Sequence, residues 1–295
     1  AFGNKGLLVI DISNPTDPGT FIYEDTYGFA YDVYVDGDYA YVADYNLGLV
    51  VIDISDPTNP GTPVYETTNG WPQGVYVSGD YAYVADGSAG LAVIDISDPT
   101  NPGTPVYEAT SGSAHDVYVS GDYAYVADRS SGLAVIDISD PIDPGTPVYA
   151  DTNGKAYDVF VSGDYAYVAD NSSGLAVINI FDPIDPGTPV YADTNGEAYD
   201  VFVSGDYAYV ADGSSGLAVI DISDPTNPGT PVYEDTTEAA LGVFVSGDYA
   251  YVADNSSGLA VINISDPTNP GTPVYEDTNG KAYDVCVSGD YAYVA

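Results

Sequence analysis

Short runs of alternating apolar and polar residues recur along the whole chain, separated by turns rich in Gly, Pro, Asp and Asn. In the segment 71–112 these runs are Gly74–Ser78, Tyr81–Ala85, Leu91–Ser97 and Thr104–Glu108. A period of two bounded by turn residues is typical of half-buried β-strands. No stretch of comparable length has a helical period. The pattern predicts four short antiparallel strands per segment and an all-β protein.

The same segment is written seven times at a fixed spacing of 42 residues. The block Gly-Asp-Tyr-Ala-Tyr-Val-Ala begins each copy of the second run, at Gly37, Gly79, Gly121, Gly163, Gly205, Gly247 and Gly289. Four short strands in roughly 40–45 residues are typical of one blade of a β-propeller. The sequence therefore predicts a seven-bladed β-propeller with four antiparallel strands per blade.

The residues within each run predict the order of the strands in a blade. The fourth run contains a proline followed by acidic residues, which suits an exposed edge that resists further pairing. We therefore expect this run to be the outermost strand and the Val-Tyr-Val run to be the innermost. Tyr81 and Tyr83 share one face of the second run and Ala82 and Val84 the other, so that neighbouring blades can interlock.

The two chain ends together make up one blade. The N-terminal part supplies its third and fourth runs, Leu7–Ile12 and Thr20–Glu24, and the C-terminal part its first and second, Asp284–Ser288 and Tyr291–Ala295. We expect a clasp of two plus two strands that closes a single domain spanning 1–295. The predicted blades are 29–70, 71–112, 113–154, 155–196, 197–238, 239–280, and 281–295 plus 1–28.

The third run and the turn after it resemble a known repeat. Leu-Ala-Val-Ile-Asp-Ile-Ser-Asp-Pro-Thr-Asn-Pro at Leu91–Pro102, nearly unchanged at Leu217–Pro228, is similar to the LVIVD repeat. That family, and the similar YVTN-type repeats, imply a propeller fold and a place in cell-surface or secreted proteins of archaea and bacteria. The family implies no general catalytic residues.

The charge balance narrows the classes of partner. The chain has 4 Lys plus Arg against 45 Asp plus Glu, a net charge of −41. Such a surface repels nucleic-acid backbones and anionic lipid headgroups, and no run approaches the length of a membrane span. We expect no nucleic-acid partner and no membrane insertion by this segment. The charge suits high salt or a cation-rich exterior, where self-repulsion is screened, and this agrees with the extracellular or cell-envelope location that the resemblance implies.

The residues that break the repeat pattern concentrate in two classes of loop, which a four-stranded blade places on one face. This upper face consists of the loops between the second and third strands and the loops that lead into the next blade. It contains the four basic residues and the sole Trp and His. Loops on a rigid scaffold commonly carry binding residues, and Trp, Tyr and Arg are common anchors of contact surfaces. The predicted binding residues are Phe29, Tyr31, Trp71, Gln73, His115, Arg129, Lys155, Tyr157, Tyr199, Lys281 and Tyr283, with Lys5 on the same face. The alternative is that these loop residues vary between repeats only because few contacts constrain them.

The opposite, lower face contains the Gly-Asp turns and the Asp-Pro loops, and no Lys or Arg. Turn chemistry accounts for these aspartates, because Asp side chains bond local amides. A solvated face that gathers cations is the functional alternative.

A set of aspartates at the start of the innermost strand is a candidate metal site: Asp32, Asp116, Asp158, Asp200 and Asp284, interrupted by Gly74 and Gly242. Carboxylates that converge on a channel could hold Ca²⁺ through oxygen ligands. The structural alternative, which we favour, is that each carboxylate bonds amides of its own blade. A second set, which begins with Asp44 and Asp86, precedes Gly/Ser loops and is expected to form Asx turns.

Catalytic motifs are missing from the sequence. A single His without a matched Ser or Cys makes no triad, and no zinc-ligand spacing or phosphate-binding glycine loop is present. We predict a non-catalytic binding or adhesion module that recognises a protein or glycan and requires no cofactor. One alternative is a structural building block of a surface layer with cation-mediated contacts. The other is a hydrolase.

Overall fold

The computed structural model describes residues 6–295, which form seven four-stranded antiparallel sheets. The strands in chain order are β1 (Leu7–Asp11), β2 (Phe21–Glu24), β3 (Ala30–Asp36), β4 (Tyr39–Asp44), β5 (Gly48–Asp53), β6 (Val64–Glu66), β7 (Gly74–Ser78), β8 (Tyr81–Ala85), β9 (Leu91–Asp95), β10 (Val106–Glu108), β11 (Asp116–Ser120), β12 (Tyr123–Ala127), β13 (Leu133–Asp137), β14 (Val148–Ala150), β15 (Asp158–Ser162), β16 (Tyr165–Ala169), β17 (Leu175–Asn179), β18 (Val190–Ala192), β19 (Asp200–Ser204), β20 (Tyr207–Ala211), β21 (Leu217–Asp221), β22 (Val232–Glu234), β23 (Gly242–Ser246), β24 (Tyr249–Ala253), β25 (Leu259–Asn263), β26 (Val274–Glu276), β27 (Val285–Ser288) and β28 (Tyr291–Val294). The seven-bladed propeller predicted from the repeat is confirmed.

The first strand of every blade lies at the centre. Each one contacts the first strand of the next blade, from β3 and β7 around to β27 and β3, which closes the ring. The short fourth strand pairs only with the third and forms the outer edge of its sheet. The predicted order, with the Val-Tyr-Val run innermost, is confirmed.

The chain ends meet in one sheet of order β2-β1-β28-β27. β1 and β28 are antiparallel, with Leu8 opposite Val294 and Ile10 opposite Ala292. Ile10 and Leu7 have no exposed surface, so this blade is packed like the others. The predicted two-plus-two clasp is therefore confirmed.

The outer strands are shorter than the sequence predicted. The fourth run was expected to span Thr104–Glu108, but β10 begins at Val106, after Pro105. Proline lacks the amide hydrogen that a ladder needs. The clasp blade provides an internal control, because Phe21 stands at the position that proline occupies elsewhere, and there β2 begins at that residue.

The hydrophobic core lies between the blades. Tyr83 of one blade packs with Val117, Ala124 and Ile136 of the next, and the same grouping recurs around the ring. Tyr83 is buried by this contact and Ala124 has no exposed surface. The large residue of one sheet thus fills the space left by the small residue of its neighbour, as the alternation of Tyr and Ala predicted.

Candidate functional site

Three successive tiers of side chains surround the central channel. The lower two come from alternate residues of the innermost strands, which point to the same side. The uppermost comes from the position directly before the aspartate or glycine with which most of these strands begin. The uppermost, the collar, consists of Tyr31, Gln73, His115, Tyr157, Tyr199, Leu241 and Tyr283. Next comes the carboxyl ring of Asp32, Asp116, Asp158, Asp200 and Asp284. Below it lies the inner ring of Tyr34, Tyr76, Tyr118, Phe160, Phe202 and Phe244.

The collar and the carboxyl ring enclose a cavity of about 240 Å³. All of its lining residues belong to these two tiers. Of the predicted binding residues, Tyr31, Gln73, His115, Tyr157, Tyr199 and Tyr283 therefore line one space, and the five candidate metal ligands lie directly beneath them. Closure of the ring brings Tyr31 and Tyr283 together from opposite ends of the chain.

The aromatic members of the collar contact one another. The ring centroids of Tyr31 and Tyr283 are 5.0 Å apart, and those of Tyr157 and Tyr199 are 5.4 Å apart. His115 meets Tyr157 edge-on at 4.6 Å, and its Nδ1 lies 2.8 Å from the Tyr157 carbonyl oxygen. Because a carbonyl oxygen only accepts, Nδ1 carries the hydrogen and donates it. Burial and the charge of Arg129 lower the pKa of His115 to about 3, so the imidazole is neutral at physiological pH.

Each carboxyl group of the ring accepts a hydrogen bond from a backbone amide of the following blade. This corrects the expectation that each carboxylate bonds amides of its own blade. The Val201 amide donates to Asp158 at 2.8 Å, and the Val33 amide donates to Asp284 at 3.3 Å across the closure. In the same way the amides of the following blades donate to Asp32, Asp116 and Asp200. Blade-to-blade stacking places the next amide within reach, and this geometry is invisible in a single repeat.

Own-blade bonds do occur beside the two glycines that interrupt the ring. Gly74 and Gly242 offer no carboxylate to the following blade, and there Asp116 and Asp284 also accept from the amides of their own neighbours. A Cβ at Gly74 would lie 2.5 Å from Asp116 Oδ1. Glycine thus leaves room for the adjacent carboxyl group.

The two glycines divide the carboxyl ring into two hydrogen-bonded groups. Asp32 pairs with Asp284, and Asp158 bonds both Asp116 and Asp200. Burial raises the pKa of all five carboxyl groups, and neighbouring carboxylates raise those of Asp32 and Asp158 well above the usual range. The pKa of Asp200 rises to about 7. Carboxylates this close cannot all ionise, so the ring retains protons near neutral pH.

The inner ring was missed as a feature of the channel. Its centroids follow one another at 4.6–4.9 Å, from Tyr34 to Phe244. Cys286 occupies the seventh position and is buried. The signal was present in the sequence, because these residues stand two positions after the ring aspartates. The carboxyl ring is therefore enclosed between two aromatic tiers, which explains its desolvation.

On the upper face, a row of aromatic contacts leads from an exposed tryptophan to the cavity lining. Trp71 is 52 % exposed and stacks on Tyr45, with centroids 6.0 Å apart. Tyr45 in turn contacts Tyr31 of the collar at 5.3 Å. Phe29 and Tyr27 are also exposed, Tyr27 by 73 %. Aromatic surface therefore runs continuously from Trp71 on the rim to the cavity, although the sequence analysis did not single out Tyr27 or Tyr45.

The basic residues occupy different positions on this face. Lys155 and Lys281 are exposed and do not line the cavity. Arg129 is half-buried, its guanidinium lies 5.1 Å from the centroid of Tyr157, and its Nε has no hydrogen-bond partner. Arg129 also forms a β-bridge with Ala156, which confirms that the two classes of loop meet on one face. Lys5, predicted on the same face, lies outside the described residues.

The aspartates that precede the Gly/Ser loops tie blades together, and only one forms the expected Asx turn. Asp44 accepts from the Asn46 amide at 3.1 Å, as predicted. Asp170 instead accepts from Thr152 Oγ1 at 2.6 Å and the Gly154 amide at 2.7 Å, in the loop leading into its blade. Asp86, Asp128 and Asp212 make the same pair of bonds. These carboxylates are buried, and the loop donors compete successfully for them.

The described residues include no group of three or more His, Cys, Asp or Glu side chains that could hold a metal ion. They also include no helix that is long and apolar enough to span a bilayer. Calcium at the carboxyl ring stays a prediction from sequence.

The lower face contains exposed apolar residues that the sequence analysis overlooked. Phe181 is 77 % exposed, and Ile142 and Ile184 are each 65 % exposed. Other blades have Ser or Thr at the equivalent positions. The comparison between repeats that highlighted Trp71 could have found them.

Comparison with known proteins agrees with this architecture. The model of the LVIVD repeat matches residues 1–24, 27–63, 69–104, 111–148, 153–190, 195–231, 239–273 and 279–295. The chain belongs to the LVIVD-repeat family. The resemblance inferred from Leu91–Pro102 is therefore confirmed, and the match extends along the whole chain of this LVIVD-repeat propeller. No curated protein matches the chain.

Similar solved structures share the fold at low sequence identity. The computationally designed Ika8 protein has a TM-score of 0.70 at 11% identity, over 100% of this chain and 93% of that one. The β-propeller domain of Cps50 (Swd1) from Myceliophteria thermophila has a TM-score of 0.69 at 11% identity, covering 90% and 96%. A functionally unknown protein from Desulfotomaculum acetoxidans DSM 771 has a TM-score of 0.66 at 15% identity, covering 94% and 98%. At these identities the likeness concerns the fold alone.

Proposed function

We propose that this LVIVD-repeat propeller is a non-catalytic binding module of a cell-surface or secreted protein, which recognises a protein or glycan through its upper face. The fold and the repeat family suggest a protein-interaction module. The observation that carries the finer proposal is the exposed Trp71, which stacks on the half-buried Tyr45 next to the exposed Phe29. Large aromatic side chains supply contact area at small entropic cost.

The scaffold supports this role because it holds these aromatic side chains in place. Trp71 and Tyr45 belong to different blades, and their stacking spans the groove between them. Lys155 and Lys281 add positive charge on the same face of a chain whose net charge is −41. A partner with apolar and acidic groups would find complementary charge there, where Arg129, Lys155 and Lys281, the basic residues of the described range 6–295, lie.

The test screens an immobilised glycan panel and a displayed random-peptide library against the chain and against Trp71→Ala. Ala occupies the equivalent position 239, so the substitution suits the scaffold. The control is Phe181→Ser, which removes an exposed aromatic side chain from the lower face and restores the Ser of other blades. We expect binding that falls at least about tenfold in Trp71→Ala, as for a hot-spot residue, and is unchanged in Phe181→Ser.

The alternatives give different results in the same experiments. Self-association that Phe181→Ser abolishes and Trp71→Ala leaves intact would replace the proposal with a surface-layer building block. Hydrolysis of a panel glycan or peptide would replace it with a hydrolase. Equal loss of binding in both variants would contradict recognition through the upper face.

A further inference from the structure

We propose that the cavity between the collar and the carboxyl ring binds one small organic cation that carries an alkylammonium or quaternary ammonium group. This goes beyond the proposed function, because the ligand is a small molecule within the channel and not a macromolecule on the rim. The cavity of about 240 Å³ lies below the roughly 300–1,000 Å³ that drug-sized ligands occupy. A ligand of a few heavy atoms therefore fits best.

The collar supplies the aromatic faces that organic cations prefer. Four of its seven members are tyrosines, Tyr31, Tyr157, Tyr199 and Tyr283, and each lines the cavity. The face of an aromatic ring attracts a cation within about 6 Å, and aromatic cages of this kind recognise quaternary ammonium groups. Arg129, at 5.1 Å from the Tyr157 centroid, shows that one of these rings already accepts a cation.

The carboxyl ring supplies the opposite charge beneath the collar. Each aspartate uses an oxygen to accept an amide from the next blade, as Asp158 does from Val201. A carboxylate can accept about four hydrogen bonds, so acceptor capacity is left over. Within the lining, only His115 could carry a positive charge, and it is neutral. Although the ring retains some protons, its ionised members, such as the acceptors Asp116 and Asp284, leave the lining with negative charge that a bound cation would offset.

An organic cation matches this cavity better than a metal ion does. Ca²⁺ requires roughly six to eight oxygen ligands, whereas Gly74 and Gly242 divide the carboxyl ring into a pair and a group of three. The described residues provide no cluster of three or more ligands at metal-binding distances. The tyrosine faces above the ring would give a hydrated metal ion little, but they suit a weakly hydrated ammonium group.

Arg129 gives the proposal a distinctive consequence. Its guanidinium lies over Tyr157 and opposes the entry of a second cation through repulsion of like charges. Asn171 and Asn255 occupy the equivalent position in other blades, with the same left-handed backbone as Arg129. Arg129→Asn should therefore preserve the fold and bind the cation more tightly.

The experiment is calorimetric titration at fixed ionic strength with choline and with its neutral isostere, 3,3-dimethylbutan-1-ol. We expect one choline per chain and binding of the isostere that is at least about tenfold weaker. Tyr199→Leu, which copies Leu241 of another blade, and Asp116→Asn, which removes a carboxylate that accepts hydrogen bonds from its neighbours, should each weaken choline binding by about tenfold, whereas Arg129→Asn should strengthen it. Asp221→Asn is the control for charge, because Asn179 and Asn263 occupy its equivalent position on the exterior.

Three results would overturn the proposal. They are no choline binding at about 50 mM, equal binding of the neutral isostere, or equal weakening by Asp116→Asn and Asp221→Asn. Displacement of choline by stoichiometric Ca²⁺ at matched ionic strength would assign the cavity to a metal instead. Melting curves of each variant establish that it is folded. The titration involves no macromolecular partner, so its failure is distinct from failure of the proposed upper-face recognition.

Discussion

The carboxyl ring should make the protein less stable as pH rises, and Asp200→Asn should remove part of that loss. The carboxyl group of Asp200 accepts a hydrogen bond from the Val243 amide of the next blade, and an asparagine oxygen can accept the same bond. Its second contact is with Asp158, for which the asparagine amide can act as donor. The substitution therefore keeps the bonding and removes only the ability to ionise.

The magnitude follows from the pKa. Burial raises the pKa of Asp200 from 3.8 to about 7, with the Asp284 and Asp116 carboxylates adding to the rise. Between these values the unfolded chain releases the proton and the folded chain retains it, so stability falls with pH. At about 1.4 kcal/mol per pKa unit, the loss is at most about 4 kcal/mol. It is absent below pH 4 and complete above pH 7.

The assay is urea denaturation of the chain and of Asp200→Asn at pH 4, 6 and 8, in high salt to screen the surface charge. We expect near-equal stability at pH 4 and an advantage for the variant that approaches about 4 kcal/mol at pH 8. The control is Asp221→Asn. Bonds from Ser223 lower the pKa of that exposed carboxylate, so its contribution is present above its ordinary value and is lost as pH falls. An advantage of Asp200→Asn that does not grow with pH, or that Asp221→Asn reproduces, would refute the reasoning.

Two further predictions concern the ties between blades and the closure of the ring. Asp170→Ala leaves the Thr152 hydroxyl and the Gly154 amide without their acceptor. We expect the free energy of unfolding, measured by urea denaturation, to fall by about 2–4 kcal/mol in this variant and by less than half of that in Asp170→Asn. Equal losses in the two variants would contradict the hydrogen-bond explanation. Ile10→Ala in the clasp and Ile94→Ala at the equivalent position of a continuous blade should each cost about 2–5 kcal/mol, because both side chains are fully buried. A much smaller loss for Ile10→Ala would mean that the clasp is not packed like the other blades.

Much of the fold could be predicted because each repeat encodes its own strands. The alternation in Tyr81–Ala85 determines which side chains face the neighbouring blade, and Pro105 determines where the outer strand begins. The prediction began that strand at Thr104, before the proline, because proline was taken only to indicate an exposed edge strand. Its missing amide hydrogen also keeps it out of the strand ladder, so the strand begins at Val106. Asn179 stands where Asp95 and Asp137 stand in other blades, and its oxygen accepts from the Phe181 amide, so this position requires a hydrogen-bond acceptor and not a charge.

The candidate site was harder to predict, because it is made by contacts between repeats. Sequence comparison identified the collar and the carboxyl ring as sets. It did not show that Asp158 would accept from Val201, a residue 43 positions later in the next blade. It also passed over the aromatic residues at Tyr34 and its equivalents, although they form the tier that closes the carboxyl ring from below.

The sequence alone determined the number of blades, their strand order and the closure by the two ends, because these depend on the alternation within each copy and on the period of 42 residues that the seven copies share. Tertiary structure decided the protonation of the carboxyl ring, the path of aromatic contacts from Trp71 to the channel, and the enclosure of the cavity. Desolvation and ring contacts depend on distances between residues of different blades. Those distances exist only once the seven sheets close around a common axis.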